Sequence, residues 1–168
     1  MVPLEHRAKA LAIKYHEGQT RKANGRPYSE HLAEVVELLK KTANISDEII
    51  LAAGWLHDAL EDTECSQSDI VNSCGEDVLK LVIALTDDKT KSLSARRESI
   101  VRKLQDAPES ICILKLADIT SNVGLLPSFW SHEKTTGYLK WMDEVALVCS
   151  SASASLYERY LAARRQKY

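Results

Sequence analysis

The densest group of chemically active side chains in this sequence lies in residues 54–63. His57 and Asp58 stand side by side behind an apolar stretch, and the carboxylates of Glu61 and Asp62 follow one helical turn later. Imidazole and carboxylate groups bind divalent metals and transfer protons, and a purely structural helix rarely concentrates so many of them. The doublet therefore predicts a metal-binding or acid–base site.

Two residues elsewhere in the chain could complete a metal site with His57 and Asp58. His31 lies near the start of an earlier amphipathic segment, and Asp118 follows the apolar run 111–117. Two imidazoles and two carboxylates form a nitrogen and oxygen ligand set, which suits Mn, Fe or Zn better than a soft copper site. Such a set leaves room for water or a phosphate oxygen.

Each of these residues also has an ordinary structural explanation. A lone histidine such as His31 is more often a hydrogen-bonded surface or core residue, and Glu61 with Asp62 could be a solvated helix end. The joint pattern favours a site. Asp58 and Asp118 both follow apolar runs, and a carboxylate at the margin of a core needs a partner or a metal.

Composition limits the class of protein. A chain of 168 residues, 45% hydrophobic and 27% charged, fits one soluble domain. Its formal net charge of -2 gives no bulk attraction to nucleic acid or to an anionic membrane, so neither is predicted as a partner. No oligomeric partner follows from the sequence.

The cysteines and the apolar segments indicate a cytoplasmic protein. The four cysteines are widely spaced and form no CxxC motif, which favours reduced thiols over disulfides or a zinc knuckle. The first residues lack the apolar core of a signal peptide, and no stretch approaches the ~18 apolar residues of a membrane span.

Helical periodicity dominates the chain, and no alternating strand pattern bounded by hairpin turns occurs, so the predicted fold is all-α. His31 is placed on the same inward stripe as Leu38 and Leu39. Helices are predicted over about 4–17, 28–41, from a cap in 44–47 to 57–58 or a turn beyond, 66–73, 75–85, around 96–97, from 108 to before 127, and as one helix or a helix pair over 132–165.

The order of His31, the His57-Asp58 doublet and Asp118 on successive helices resembles the metal-binding signature of HD-domain phosphohydrolases. Longer motifs resemble hydrolase domains of the RelA/SpoT type, and they run from about residue 7 to 148. These motifs are QTRK at 19–22, PYSEH at 27–31, LHDALEDT at 56–63, LTDDKT at 85–90 and KLAD at 115–118 with Asn122.

The chain is too short for synthetase or regulatory domains, so it is most similar to the stand-alone small alarmone hydrolases. This resemblance implies a single HD-type helical bundle over residues 1–168, in which about 130–168 form a C-terminal helical extension. It also implies a guanosine-3′,5′-bis(diphosphate) 3′-diphosphatase. Such an enzyme hydrolyses the 3′-diphosphate of ppGpp or pppGpp and releases pyrophosphate with GDP or GTP.

The resemblance also implies roles for particular residues. One Mn²⁺ would be held by His31, His57, Asp58 and Asp118. Glu61 and Asp62 would orient and deprotonate the attacking water, as a general base does.

The same resemblance implies a nucleotide-binding surface made by separate segments. Arg21 and Lys22 would pack against the guanine base and its sugar, where a guanidinium plane stacks well on a purine. Asn122 would lie near the nucleotide. The stretch 130–141 resembles the extension of the small hydrolases, which implies that Lys134 contacts phosphate and Tyr138 lines the pocket. Their i, i+4 spacing makes this geometrically possible.

The chain departs from the family pattern directly after Asp118, and other functions stay open. Ile119 and Thr120 stand where the family usually has a basic and then an apolar residue, so substrate affinity or choice is expected to differ. The alternatives are an HD-type phosphatase acting on another nucleotide or on NADPH, and a catalytically silent nucleotide-binding regulator. The retained Glu61 and Asp62 argue against the silent regulator, because binding alone needs no water-activating pair.

Overall fold

The computed structural model describes residues 1–167, and the regular structure of these residues is helical. Among them no strand occurs, and the only β-type pairing is an isolated bridge between Thr20 and Pro27. The all-α prediction is therefore confirmed. The helices are α1 (Leu4–Tyr15), α2 (Ser29–Glu37), α3 (Glu48–Leu56), α4 (Ala59–Asp62), α5 (Gln67–Cys74), α6 (Glu76–Leu85), α7 (Leu93–Gln105), α8 (Glu109–Gly124), α9 (His132–Cys149) and α10 (Ala154–Arg165).

Side-chain caps define where several helices begin. The Asp47 carboxylate accepts hydrogen bonds from the backbone amides two and three residues further on, at the start of α3. Ser66 and Asp69 form a capping box at the start of α5. Gly75 has a φ of +93°, which lets the chain reverse between α5 and α6 without a steric penalty.

The structure corrects several predicted helix ends. The first helix ends at Tyr15 rather than near residue 17. The second is α-helical only to Glu37 and continues as a π-helical turn, Leu38–Thr42, before Asn44 takes a positive φ of 55°. Of the two alternatives predicted for the final segment, the helix pair is confirmed, because a 3₁₀ turn at Ser150–Ala152 separates α9 from α10.

The helix that carries the His57-Asp58 doublet is interrupted at the doublet itself. α3 ends at Leu56 and α4 begins at Ala59, so both residues lie in the turn between them. The amide of Asp62 still donates to the carbonyl oxygen of Asp58 at 2.9 Å. The break therefore changes the backbone locally while α4 continues one turn beyond the doublet.

Helix α8 occupies the centre of the molecule. It packs against α2, α6, α9 and α10, while α1 packs against α3 and α5. Nearly all of α8 from residue 111 to 123 is buried, which brings Asp118 from the middle of this helix to the inner face of α2 and α3. No helix among residues 1–167 combines the length and apolar character that a membrane crossing requires.

The central position of α8 leads to a stability prediction. Leu116 is fully buried, so we expect Leu116→Ala to lower the free energy of unfolding by about 2–5 kcal/mol, through lost burial and the cavity left behind. Leu147 of α9 is 64% exposed, and Leu147→Ala should change stability by less than about 0.5 kcal/mol. Urea denaturation of both variants measures the difference, and equal losses would contradict the central role of α8.

Candidate metal centre and active site

Four side chains from α2, the α3–α4 turn and α8 converge at one point. The Nε2 atoms of His31 and His57 are 3.3 Å apart, and Asp118 Oδ1 lies 3.3 Å from the first and 3.6 Å from the second. Asp58 Oδ2 lies 3.0 Å from His57 Nε2 and 3.7 Å from His31 Nε2. The structure thus brings together all four residues that the sequence predicted as metal ligands.

The donor set fits a divalent cation. One ligand atom from each of His31, His57 and Asp118 lies within 4.8 Å of the other two, and all three residues are buried. Nδ1 of His57 lies 2.8 Å from the carbonyl oxygen of Gly54, which only accepts hydrogen bonds. In the neutral imidazole this bond puts the ring proton on Nδ1 and leaves the Nε2 lone pair facing the cluster, the arrangement usual for a ligating histidine.

Charge in the cluster is balanced by close contacts. Burial alone would suppress the charge of His57, but the carboxylates of Asp58 and Asp118 outweigh it and raise the pKa of His57 well above its ordinary value. Burial also disfavours ionised Asp118, yet the Lys115 ammonium and the two imidazoles hold the pKa of that carboxyl well below its usual range. A site with ionised carboxylates at its centre attracts a cation.

Asp58 and Asp118 are each oriented by a neighbour. The Tyr28 hydroxyl donates to Asp58 Oδ2 at 2.6 Å. Lys115 Nζ donates to Asp118 Oδ2 at 2.8 Å, and the Asn122 amide donates to Asp118 Oδ1 at 2.7 Å. These contacts hold both carboxylates in place before any ligand binds, which limits the reorganisation that binding requires.

Glu61 and Asp62 lie in different environments although they are neighbours in α4. Glu61 Oε1 accepts a hydrogen bond from the backbone amide of Asp87 at 2.7 Å, and burial raises the pKa of Glu61 despite this bond. A carboxylate with a raised pKa is better suited to accept a proton near neutral pH. Asp62 is more exposed and pairs with the Lys89 ammonium.

The two larger recesses beside the ligand cluster adjoin each other. The inner recess has a volume of about 230 Å³, and its charged lining comprises Asp58, Glu61, Asp87, Arg96, Arg97, Lys115 and Asp118. The outer recess has a volume of about 450 Å³ and is lined by residues of the 19–23 loop together with Asp62, Trp130 and others. Tyr28, Asn122 and Tyr138 line both recesses and therefore form their common boundary.

Four of the five residues predicted to bind nucleotide line the outer recess, and the fifth, Lys134, lies at its edge. Arg21, Lys22, Asn122 and Tyr138 line it. Burial raises the pKa of Tyr138 to about 12, so its phenol stays protonated. Lys134 is exposed, and its ammonium lies 4.5 Å from the ring centroid of Trp130, a lining residue.

Arg21 differs most from the picture of a solvated loop residue. It is only 7% exposed, and its Nη1 donates to Glu34 Oε2 at 3.0 Å. The guanidinium is therefore held from one side by α2 while its side chain borders the outer recess.

Sequence reasoning missed the cations that line the inner recess and the tyrosine at its boundary. Lys115 and Tyr28 lie within motifs that the sequence analysis quoted, three residues before Asp118 and three before His31. Arg96 was placed only on a basic helix, and its guanidinium donates to Asp87, whose amide binds Glu61. The spacing of Lys115 from Asp118 on one helix face was the one signal that could have identified it.

The geometry agrees with comparisons to known proteins. A family model for the HD domain matches residues 8–123, a range that contains every member of the ligand cluster. The chain belongs to the HD-domain family. An HD-domain fold with this buried histidine and aspartate cluster indicates dependence on a divalent metal.

Within that family, the chain is similar to small hydrolases along most of its length. It is 32% identical over 152 residues to the guanosine-3′,5′-bis(diphosphate) 3′-pyrophosphohydrolase MESH1 of Drosophila melanogaster, covering 86% of this chain and 83% of that one. Identity to the Homo sapiens protein of the same name is 31% over 153 residues, covering 88% and 86%. A solved structure of a metazoan ortholog of SpoT, which hydrolyses ppGpp, superposes with a TM-score of 0.92 at 28% identity over 99% and 97% of the two chains.

The cluster predicts which substitutions remove a metal. We expect His57→Ala and Asp118→Asn to lose bound metal, because the first removes one of four converging donors and the second removes a negative charge that attracts the cation. His132 is exposed and distant in sequence from the cluster, and His132→Ala serves as the control that keeps metal. Elemental analysis of the purified variants measures this, and full metal content in His57→Ala and Asp118→Asn would contradict the assignment.

Proposed function

We propose that this protein is a metal-dependent hydrolase that removes the 3′-diphosphate of ppGpp or pppGpp and releases pyrophosphate with GDP or GTP. The observation that carries the proposal is the position of the Glu61 carboxylate in the same small recess as Asp58 and Asp118. A ligand cluster and a carboxylate with a raised pKa in one recess are the parts that metal-assisted hydrolysis needs. The likeness to guanosine-bis(diphosphate) hydrolases over nearly the whole chain supports the choice of substrate.

His31, His57, Asp58 and Asp118 are the proposed ligands, and Mn²⁺ is the proposed ion. The nitrogen and oxygen donors suit this metal. When bound there, the ion would act as a Lewis acid that polarises the phosphate and lowers the pKa of the attacking water. The protein's contribution is to hold the four donors at short distances before the ion arrives.

Glu61 is the proposed proton acceptor for the attacking water. The amide of Asp87 fixes one carboxylate oxygen and leaves the other free to accept a proton in the inner recess. Asp62 lines the outer recess and is paired with Lys89, so its proposed contribution is to orient the water and the substrate rather than to remove the proton. The two carboxylates thus have separable tasks, although they are adjacent in sequence.

The two recesses suit the two ends of an alarmone. The inner recess contains Arg96, Arg97 and Lys115, whose positive charges would bind the 3′-diphosphate and stabilise the pyrophosphate as it leaves. The outer recess carries Arg21, Lys22 and aromatic side chains, which would hold the guanosine. Lys134 and Tyr138 would contribute phosphate and pocket contacts from α9.

Several coarser features complete the proposal. We place the protein in the cytoplasm as a single HD-type domain over residues 1–168, with about 130–168 as a helical extension that supplies Lys134 and Tyr138. All four cysteines are free and buried, in keeping with a reducing compartment. A small nucleotide is the only partner that the proposal requires.

The proposal is tested by incubating the purified protein with ppGpp, pppGpp, NADPH and nucleoside monophosphates, with and without Mn²⁺, and resolving the products. We expect Mn²⁺-dependent release of pyrophosphate from ppGpp and pppGpp. Release of orthophosphate from NADPH or a monophosphate, with ppGpp left intact, would contradict the proposed substrate. Binding of ppGpp without turnover would instead indicate a nucleotide-binding regulator.

The assignment of Glu61 predicts a separation of chemistry from binding. Glu61→Gln should keep the metal and bind ppGpp with little change, yet lower kcat by roughly 10²-fold or more, the usual scale for removing a general base. Asp62→Asn should lower kcat less and raise KM. Glu64→Gln, which alters an exposed carboxylate just beyond α4, is the matched control and should leave both constants unchanged. Wild-type turnover in Glu61→Gln would remove Glu61 from the mechanism.

A further inference from the structure

A partly buried chain of hydrogen bonds runs from the 19–23 loop to the metal-ligand cluster. Arg21 Nη1 donates to Glu34 Oε2 at 3.0 Å, and the Ser121 hydroxyl donates to the same oxygen at 2.6 Å. Ser121 Oγ also lies 2.9 Å from His31 Nδ1. Arg21, Ser121 and His31 are 7%, 6% and 1% exposed, so both ends of this chain are shielded from competing water, while the Glu34 side chain between them is half exposed.

The chemistry of the chain fixes the direction of each hydrogen bond. A carboxylate beside an arginine accepts and cannot donate, so the single hydroxyl proton of Ser121 must point at Glu34. Ser121 Oγ then has only lone pairs for His31, and Nδ1 of His31 must carry a proton. If Ser121 donated its proton to His31 instead, Ser121 Oγ and Glu34 Oε2 would face each other at 2.6 Å with no proton between them.

This direction determines which nitrogen of His31 can bind a metal. With the proton on Nδ1, the Nε2 lone pair faces His57 and Asp118, at 3.3 Å from each partner atom. His57 reaches the same state through the carbonyl oxygen of Gly54. One histidine is therefore oriented by the backbone, which substitution cannot remove, and the other by side chains, which substitution can remove.

We propose that Ser121 and Glu34 are positioning residues that hold His31 as its Nδ1–H tautomer, with Nε2 free for the metal. The inference rests on the proposed function, because it takes the cluster to be a metal site. Ser121 orients the imidazole directly, and Glu34 fixes the hydroxyl proton of Ser121. Arg21 neutralises Glu34 and so completes the chain.

The same chain connects nucleotide recognition with the metal centre. Arg21 lines the outer recess, and its guanidinium is three hydrogen bonds from the imidazole of His31. A substitution at Arg21 should therefore weaken metal binding as well as substrate binding. If Arg21 contacted the nucleotide alone, its removal would leave metal affinity unchanged.

The test compares the metal affinities of the full-length protein and its variants after bound metal has been removed with a chelator. Calorimetric titration with Mn²⁺ should show binding about 10- to 100-fold weaker in Ser121→Ala, the usual effect of losing the partner of a ligating histidine. Glu34→Gln should weaken binding several-fold in the same direction. Glu37→Gln is the matched control, since Glu37 lies one turn further along α2 and pairs only with Lys41 among the described residues, and it should match wild type.

A second measurement reports the tautomer directly. In the Zn²⁺-loaded wild-type protein, ¹H–¹⁵N spectra should show two slowly exchanging Nδ1–H groups, from His31 and His57. In Ser121→Ala only the His57 signal should remain slow. If Ser121→Ala does not fold, Glu34→Gln carries the test, because the Glu34 side chain is half exposed and its substitution leaves the core intact.

The possible failures are distinguishable. If the wild type binds no metal, the proposed function fails and this inference fails with it. If the wild type binds Mn²⁺ and hydrolyses ppGpp, while Ser121→Ala and Glu34→Gln keep wild-type affinity and both slow Nδ1–H signals, the inference alone is overturned.

Discussion

The rest of the site depends on one constraint, the need to hold two carboxylates and two imidazoles close together in a largely buried cluster. Asp58 and Asp118 repel each other there, and burial adds a cost to each charge. The protein offsets this cost with hydrogen bonds from Tyr28 and Asn122 and with the buried ammonium of Lys115. The arrangement gains most when a divalent cation replaces the proton that the raised pKa of His57 favours on Nε2 beside Asp58, so metal binding is coupled to proton release.

Helix α8 meets this constraint by grouping the polar residues of the site on one side. Asp118, Ser121 and Asn122 follow the i, i+3, i+4 spacing, so they share a helix face that is turned toward α2 and the α3–α4 turn. Leu116 and Val123 pack into the core on the other sides. One helix thus supplies a ligand, the partner of a second ligand and a residue at the boundary of both recesses, which explains why α8 is buried along nearly its whole length.

The sequence singled out the four residues that converge in the cluster but missed most of their supporting partners, for a physical reason. The residues His57, Asp58 and Asp118 could be predicted because they follow apolar runs. His31 could be predicted because it shares an inward stripe with the apolar residues Leu38 and Leu39. Local pattern carries both kinds of information. The ion pair of Arg21 with Glu34 depends on how the 19–23 loop folds against α2, and the bond from Ser121 to Glu34 spans 87 residues. Periodicity carries no information about such contacts. It predicted a helix end near His57 and Asp58 or one turn beyond, but not that a short helix resumes directly after them.

The departure from the family pattern after Asp118 changes the lining of the inner recess. Ile119 is buried and forms part of the wall of the inner recess, so the side chain there contributes apolar surface where the family usually has a basic residue. The positive charge of that recess comes instead from Lys115 on the same helix and from Arg96 and Arg97 on α7. Because Arg96 is tied to Asp87 and Asp87 to Glu61, the cations that attract a diphosphate are connected to the carboxylate proposed to activate water. One structural unit, the α6–α7 loop with the start of α7, therefore positions both Arg96, which is proposed to bind the diphosphate, and the carboxylate of Glu61. Helix α8 alone does not determine the site.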